Sequence, residues 1–186
     1  MSNKEQCILH KEQNSRVMTL GEERGCQIDG FDLGNSPEQI LSKDLYNYSV
    51  AMITSNCTRG VIAAKRASSI YLAGFMNVAA TANALLGGSY KDVLISPMGN
   101  LNGRCPADDA CADYLRSYLL GEEVDYMQYR SSIVNSSEAK KFSNLETPEF
   151  PSRDLMICLS LNELPYELNV SNTDSITSVK AKLHNS

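Results

Sequence analysis

Between Ser49 and Leu120, short apolar runs alternate three times with helix-forming segments, and this constrains the fold more than any other feature. The runs are SVAMIT (Ser49 to Thr54), SIYLA (Ser69 to Ala73) and DVLIS (Asp92 to Ser96). Apolar runs this short read as buried strands. The helical segments are Thr58 to Ala67, the Ala-rich stretch Asn77 to Leu86 stopped by Gly87-Gly88, and Pro106 to Leu120. Alternation at this spacing predicts right-handed βαβ units. The expected fold is α/β, a three-layer sandwich with a mostly parallel or mixed sheet and helices on both faces.

The flanks are weaker. Arg16 to Leu20 reads as a strand, and Gly21 to Asn35 as a glycine-rich and acidic loop. Ser36-Pro37-Glu38 opens a helix to about Leu45, with Ser36 as cap and Pro37 at the first helical position. Further on, Tyr126 to Phe142 and Ser152 to Ser160 read as helices, Tyr166 to Val170 as an edge strand, and the residues after Ser171 as a polar tail. Residues 1–15 lack periodicity and read as another polar tail. That leaves residues 16–186 as a single domain, a usual size for one.

Composition narrows the function. Seventeen Lys and Arg against 22 Asp and Glu give a net charge of −5, which argues against non-specific nucleic-acid binding. Met1 to His10 do not read as a secretion leader, and no stretch approaches the ~20 apolar residues of a membrane span, so a cytoplasmic chain without membrane contact is expected. The six Cys include no C-x-x-C pair and are expected to be reduced thiols rather than a zinc site. The usual nucleotide-binding glycine loops, the G-x-S-x-G and H-E-x-x-H motifs, the D-x-D motif and a Cys followed six positions later by Arg are all missing.

In an open parallel sheet, ligands bind beyond the carboxyl ends of the strands. The turns there carry Asn56, Cys57, Thr58 and Arg59 after the first run, Asn77 after the second, and Gly99 to Arg104 leading to Asp108 and Asp109 after the third. Amides, a hydroxyl, guanidinium groups and helix N-termini converging on one rim suit an anion, phosphate above all. Each piece has a plainer reading: Thr and Asn cap helices, a lone Arg pairs on the surface, and acids in a first turn favour the helix dipole. In the Gly/acid loop, Glu23 and Asp32 are the best oxygen donors for a hard cation such as Mg²⁺.

Four segments in order carry a family likeness: GEERGCQIDGFDLGNSP (Gly21 to Pro37), MITSNCTRGVIAA (Met52 to Ala64), LAGFMNVAATANAL (Leu72 to Leu85) and GRCPADDACADYL (Gly103 to Leu115). The chain resembles the 2-phosphosulfolactate phosphatases over about residues 16–120 and, more loosely, 150–170. The resemblance implies a Mg²⁺-dependent hydrolase of coenzyme M biosynthesis, acting on 2-phosphosulfolactate or a similar phosphorylated hydroxy acid. It further implies catalytic roles for Asp32, Asn56, Thr58 and Arg59, and substrate binding by Arg24, Asn35, Ser36, Asn77 and Arg104. Metal binding would fall to Glu23, Asp32, Asp108 and Asp109. Two departures stand out. Cys57 replaces the Gly of the family's N-G-T-R turn, and the family's N-terminal strand and D-V-L-R-A-[ST]-type motif have no expected counterpart in Met1 to Ser15. A sheet without that strand is expected to expose an edge, which a homodimer would cover. The alternative is a diverged, non-catalytic homologue that binds an anionic metabolite or a protein partner.

Overall fold

A computed structural model describes residues 3–100, 103–144, 146–172 and 177–183. Its elements run α1 (Lys4–Gln13), β1 (Val17–Glu23), β2 (Cys26–Gln27), α2 (Pro37–Leu41), β3 (Ser49–Ile53), α3 (Cys57–Ala63), β4 (Tyr71–Leu72), α4 (Val78–Gly87), α5 (Pro106–Leu120), α6 (Tyr126–Val134), α7 (Ser152–Cys158), β5 (Tyr166–Asn172) and β6 (Thr177–Leu183). Helices and small sheets together make an α/β chain.

The first sheet has strand order β2-β1-β3. β1 and β3 run parallel, from Val17 opposite Ser49 to Gly21 opposite Ile53, while β2 folds back antiparallel on Glu22 and Glu23. The strands leave no room for a side chain at Gly21, where a Cβ would stand 2.2 Å from the Ile53 carbonyl oxygen. α1 packs beneath, with Cys7 fully buried against Val17, Ile28, Phe31 and Ala51. The expected loose tail is therefore a helix. Asn3 caps it by accepting the Gln6 N–H, and Cys7 anchors it.

The second sheet, β4-β5-β6, is antiparallel. Tyr71 lies opposite Asn169, and β5 pairs with β6 along its whole length. Two expectations change here. The polar tail after Ser171 supplies β6, because β5 offers it a seven-residue edge. The second apolar run forms only a two-residue strand, and its partner is β5 rather than β3. The third run, Asp92 to Ser96, forms no strand. Leu94 is 92% exposed, and only Ile95 packs on a core. An apolar run becomes a strand only where a neighbouring edge can take its backbone hydrogen bonds. Parallel pairing between strands is thus confined, among the described residues, to β1 and β3.

α4, α5, α6 and α7 enclose the larger core: Phe75, Val78, Ala82, Tyr114, Leu115, Ile133 and Leu159. The predicted single helix from Tyr126 to Phe142 is broken at Asn135, and 138–143 form a 3₁₀ segment. Among the described residues, no helix is long and apolar enough to cross a membrane.

Candidate active site

The parallel register sets the site. β1 and β3 end side by side, so the β1–β2 turn and the β3–α3 turn face each other across a cavity of about 430 Å³. Glu22, Glu23, Arg24, Thr54, Ser55, Thr58 and Arg59 line it, joined by Asn3 and Lys4 from the start of α1.

The β1–β2 turn is a two-residue hairpin loop with Arg24 at φ 56° and Gly25 at φ 86°. Positive φ at both central residues is what a tight hairpin of this hand requires. Gly25 adopts it freely, whereas Arg24 does so at a cost of about 1–2 kcal/mol. One local and one tertiary bond hold the turn: the Gly25 N–H donates to Glu22 Oε2 (2.8 Å) and the Arg24 N–H to Ser55 Oγ (3.1 Å). On the facing turn, the Thr58 hydroxyl donates to the Thr54 carbonyl (2.7 Å), which fixes the entry to α3. Asn56 stands at the N-cap position without a capping side-chain bond.

The charges on the cavity are unbalanced. Lys4, Arg24 and Arg59 bring three cationic groups, and none of them makes an ion pair among the described residues. Glu22 is buried with both carboxylate oxygens accepting hydrogen bonds. Glu23 is exposed, and its carboxylate likewise makes no ion pair among the described residues.

Several expected residues lie elsewhere. Asp32 is three residues back along the sheet, where Oδ2 accepts from the Thr19 N–H (2.8 Å) and hydroxyl (2.9 Å) and Oδ1 pairs with Lys11. Burial alone would raise its pKa. The Lys11 and Thr19 bonds outweigh that and hold it below the ordinary carboxylate value. Ser36 is buried as the N-cap of α2, accepting from the Gln39 N–H, and Asn35 is exposed beside it. Asn77 is spent internally: its Oδ1 accepts from the Gly74 N–H, and its amide donates to the carbonyls of Leu72 and Tyr166. It ties β5 to the start of α4 and does not reach the cavity.

The third loop approaches α3 from the other side. The Met98 thioether fills the space a Cβ on Gly60 would need. Asp108 accepts from the Gly99 N–H (2.8 Å), and burial pushes its carboxyl above the ordinary value. Burial, and then the Asp108 charge, also raise the Cys57 thiol. Arg104 and Asp109 pair with each other at 2.9 Å, with the guanidinium exposed.

The four expected metal carboxylates are therefore spread over three places. Among the described residues, no group of three or more His, Cys, Asp or Glu could hold a metal ion. A full protein cage does not fit. Mg²⁺ also binds, however, through one or two carboxylates with water and substrate phosphate completing its shell. Glu23 alone, facing the cavity, fits that mode.

Sequence reasoning passed over Glu22, Ser55 and Lys4. The expected strand ended at Leu20, which left Glu22 in a loop where an acid reads as solvent-facing, and Lys4 belonged to the expected tail. Only the β1–β3 register, which sets Gly21 opposite Ile53, reveals the first two.

A family model described as 2-phosphosulpholactate phosphatase matches residues 1–166. The match reaches past residues 16–120 in both directions and takes in α1. Among curated relatives, a probable 2-phosphosulfolactate phosphatase of Bacillus subtilis is 31% identical over 142 residues, 74% of this chain and 60% of the relative. One of Prochlorococcus marinus is 37% identical over 125 residues, covering 67% and 51% respectively. The 2-phosphosulfolactate phosphatase of Methanocaldococcus jannaschii is 30% identical over 149 residues, covering 72% and 65%. The chain thus spans between about half and two thirds of the length of these relatives.

Proposed function

The chain belongs to the 2-phosphosulpholactate phosphatase family, and from that premise we propose that its cationic cavity binds and hydrolyses a small phosphate monoester, 2-phosphosulfolactate or a similar phosphorylated hydroxy acid. One observation carries the reading. The ends of two parallel strands bring Arg24 and Arg59 to a single cavity with no carboxylate paired to either among the described residues. Guanidinium groups match phosphate oxygens in geometry as well as charge.

Arg59 and Arg24 hold the phosphoryl oxygens from two sides and take up the charge that gathers on them as water attacks phosphorus in line and the ester P–O bond breaks, the leaving oxygen taking a proton from water to give the hydroxy acid and inorganic phosphate. Thr58 keeps Arg59 in place through its bond to Thr54. Lys4 closes the wall on the α1 side and suits a second anionic group of the substrate. Glu23 is the residue to hold Mg²⁺, which when bound would neutralise phosphate charge.

The test is hydrolysis of an aryl phosphate with and without Mg²⁺, alongside the melting temperature with and without inorganic phosphate. Metal-dependent turnover lost in Arg59→Ala upholds the proposal. Phosphate stabilisation without turnover replaces it with an anion-binding homologue.

A further inference from the structure

Glu22 occupies an unusual place for an acid: it is 7% exposed, directly beneath a cavity proposed to bind an anion. Its charge repels phosphate, so electrostatics alone give no reason for it to be there. Its hydrogen bonds do. Oε1 accepts from the Ser55 N–H at 2.6 Å. Oε2 accepts from the Ser55 hydroxyl at 3.0 Å and from the Gly25 N–H at 2.8 Å. Ser55 Oγ in turn accepts from the Arg24 N–H at 3.1 Å. One carboxylate thus joins the hairpin that presents Arg24 to the turn that presents Thr58 and Arg59, across 33 residues of sequence.

We propose that Glu22 is a positioning residue that sets the separation of the two anion-facing turns. It acts through Arg24 and Arg59 and not on the substrate, an inference that rests on the phosphatase reading for the identity of the anion. A carboxyl group meets these demands because each of its two oxygens can accept from a backbone N–H. A Gln amide turns one acceptor into a donor and sets it against either Ser55 N–H or Gly25 N–H. With Ser55 and Gly25 freed from Glu22, Arg24 loses the support that holds its backbone at φ 56° and relaxes out of the cavity.

The two roles a buried acid could play here predict opposite signs. If Glu22 acts only as a charge, Glu22→Gln relieves repulsion and tightens phosphate binding. If it is the clamp, Glu22→Gln weakens binding, by roughly 10-fold to 100-fold if it compares with residues that orient the ligands of a metal. The experiment measures inorganic phosphate binding by calorimetry on the parent, Glu22→Gln and Ser55→Ala, each shown to be folded by circular dichroism. Val78→Ala, which lowers the melting temperature from within the other core, serves as the control and is expected to keep the parent affinity. Weaker binding in Glu22→Gln, with a smaller loss in the same direction in Ser55→Ala, upholds the clamp. Equal or tighter binding overturns it. Where Glu22→Gln does not fold, Ser55→Ala decides by the same rule. Amide hydrogen exchange separates this proposal from the function it builds on. A parent that ignores phosphate defeats the anion-site reading and the positioning role with it. Unchanged exchange at Gly25 and Ser55 in Glu22→Gln overturns the clamp even where phosphate binds.

Discussion

The cluster around Val17 and Ala51 is small, with Phe31 its one ring among the buried residues, whereas the one around Phe75 and Tyr114 is larger and rich in aromatics. In the second, Phe75 lies 5.9 Å from Tyr114 and 5.3 Å from Tyr126, and Tyr114 lies 5.7 Å from Tyr129, all at tilted or edge-on angles. The first region instead brings polar groups to the cavity: Glu22, Arg24 and Ser55 from β1 and the turns after β1 and β3, Thr58 and Arg59 from the first turn of α3. The contrast teaches a division of labour. The aromatic region forms the larger core, and the parallel pair carries the proposed anion site. That division breaks if substitutions on one side register on the other.

The largest effect is expected at the aromatic core. Phe75→Ala removes a ring that is 4% exposed from between two tyrosines. It should cost about 3–5 kcal/mol of unfolding free energy, read by urea denaturation. Phosphate affinity of the molecules still folded should stay at the parent value. A change in that affinity would mean the two regions are coupled.

Next is the mirror experiment. Arg59→Ala should lower turnover of an aryl phosphate on the order of 10²-fold while leaving the denaturation midpoint in place, since Arg59 makes no ion pair among the described residues. A loss of stability as large as that of Phe75→Ala would refute the division.

A smaller effect sits on the link between the regions. Asp154, on α7, is 4% exposed and accepts the Glu38 N–H of α2 at 2.8 Å. Asp154→Ala leaves that N–H unpaired and should cost about 1–3 kcal/mol. If the regions unfold as one unit, fluorescence and far-UV dichroism will still report a single midpoint. Separated midpoints would show that this contact couples them.

The same contrast governs what the sequence disclosed. α4 and α5 were legible because fifteen residues opened by Pro106 and closed by Gly121, or ten Ala-rich residues closed before Gly88, state their own limits. The four family segments also pointed to Arg24, Thr58 and Arg59, which the structure brings to one cavity. Features set by pairing were not legible. Asp92 to Ser96 has strand composition but pairs with no strand, while Thr177 to Leu183 lacks a buried face and is held by β5. Asn77 opens its helix as expected, yet its amide turns inward to β5, a strand 89 residues away in sequence. Asp32 fell short for a similar reason. Its loop returns alongside β1 at Leu20 rather than at the strand's end, so the carboxylate meets Thr19 and Lys11 before it can reach the rim.

That placement gives the smallest and sharpest expectation. Asp32 is held below its ordinary pKa by Lys11 and Thr19, despite the opposing effect of burial. A depressed acid contributes stability that is present above its unfolded value, near 3.8, and is lost as pH falls through its folded value. The pair is partly exposed, with side chains 39% and 27% accessible, so the contribution should be at most about 1 kcal/mol. Asp32→Asn should therefore lower stability slightly at pH 7, and the difference from the parent should shrink as the pH drops below about 4. Turnover at pH 7 separates the two regions' claims on this residue. A structural Asp32 predicts an Asn variant with near-parent kcat, because the carboxylate anchors α1 to β1 and lies outside the cavity. A fall of the size expected for Arg59→Ala would instead put Asp32 among the reacting groups, and would require its loop to leave Thr19 and swing to the rim when substrate binds.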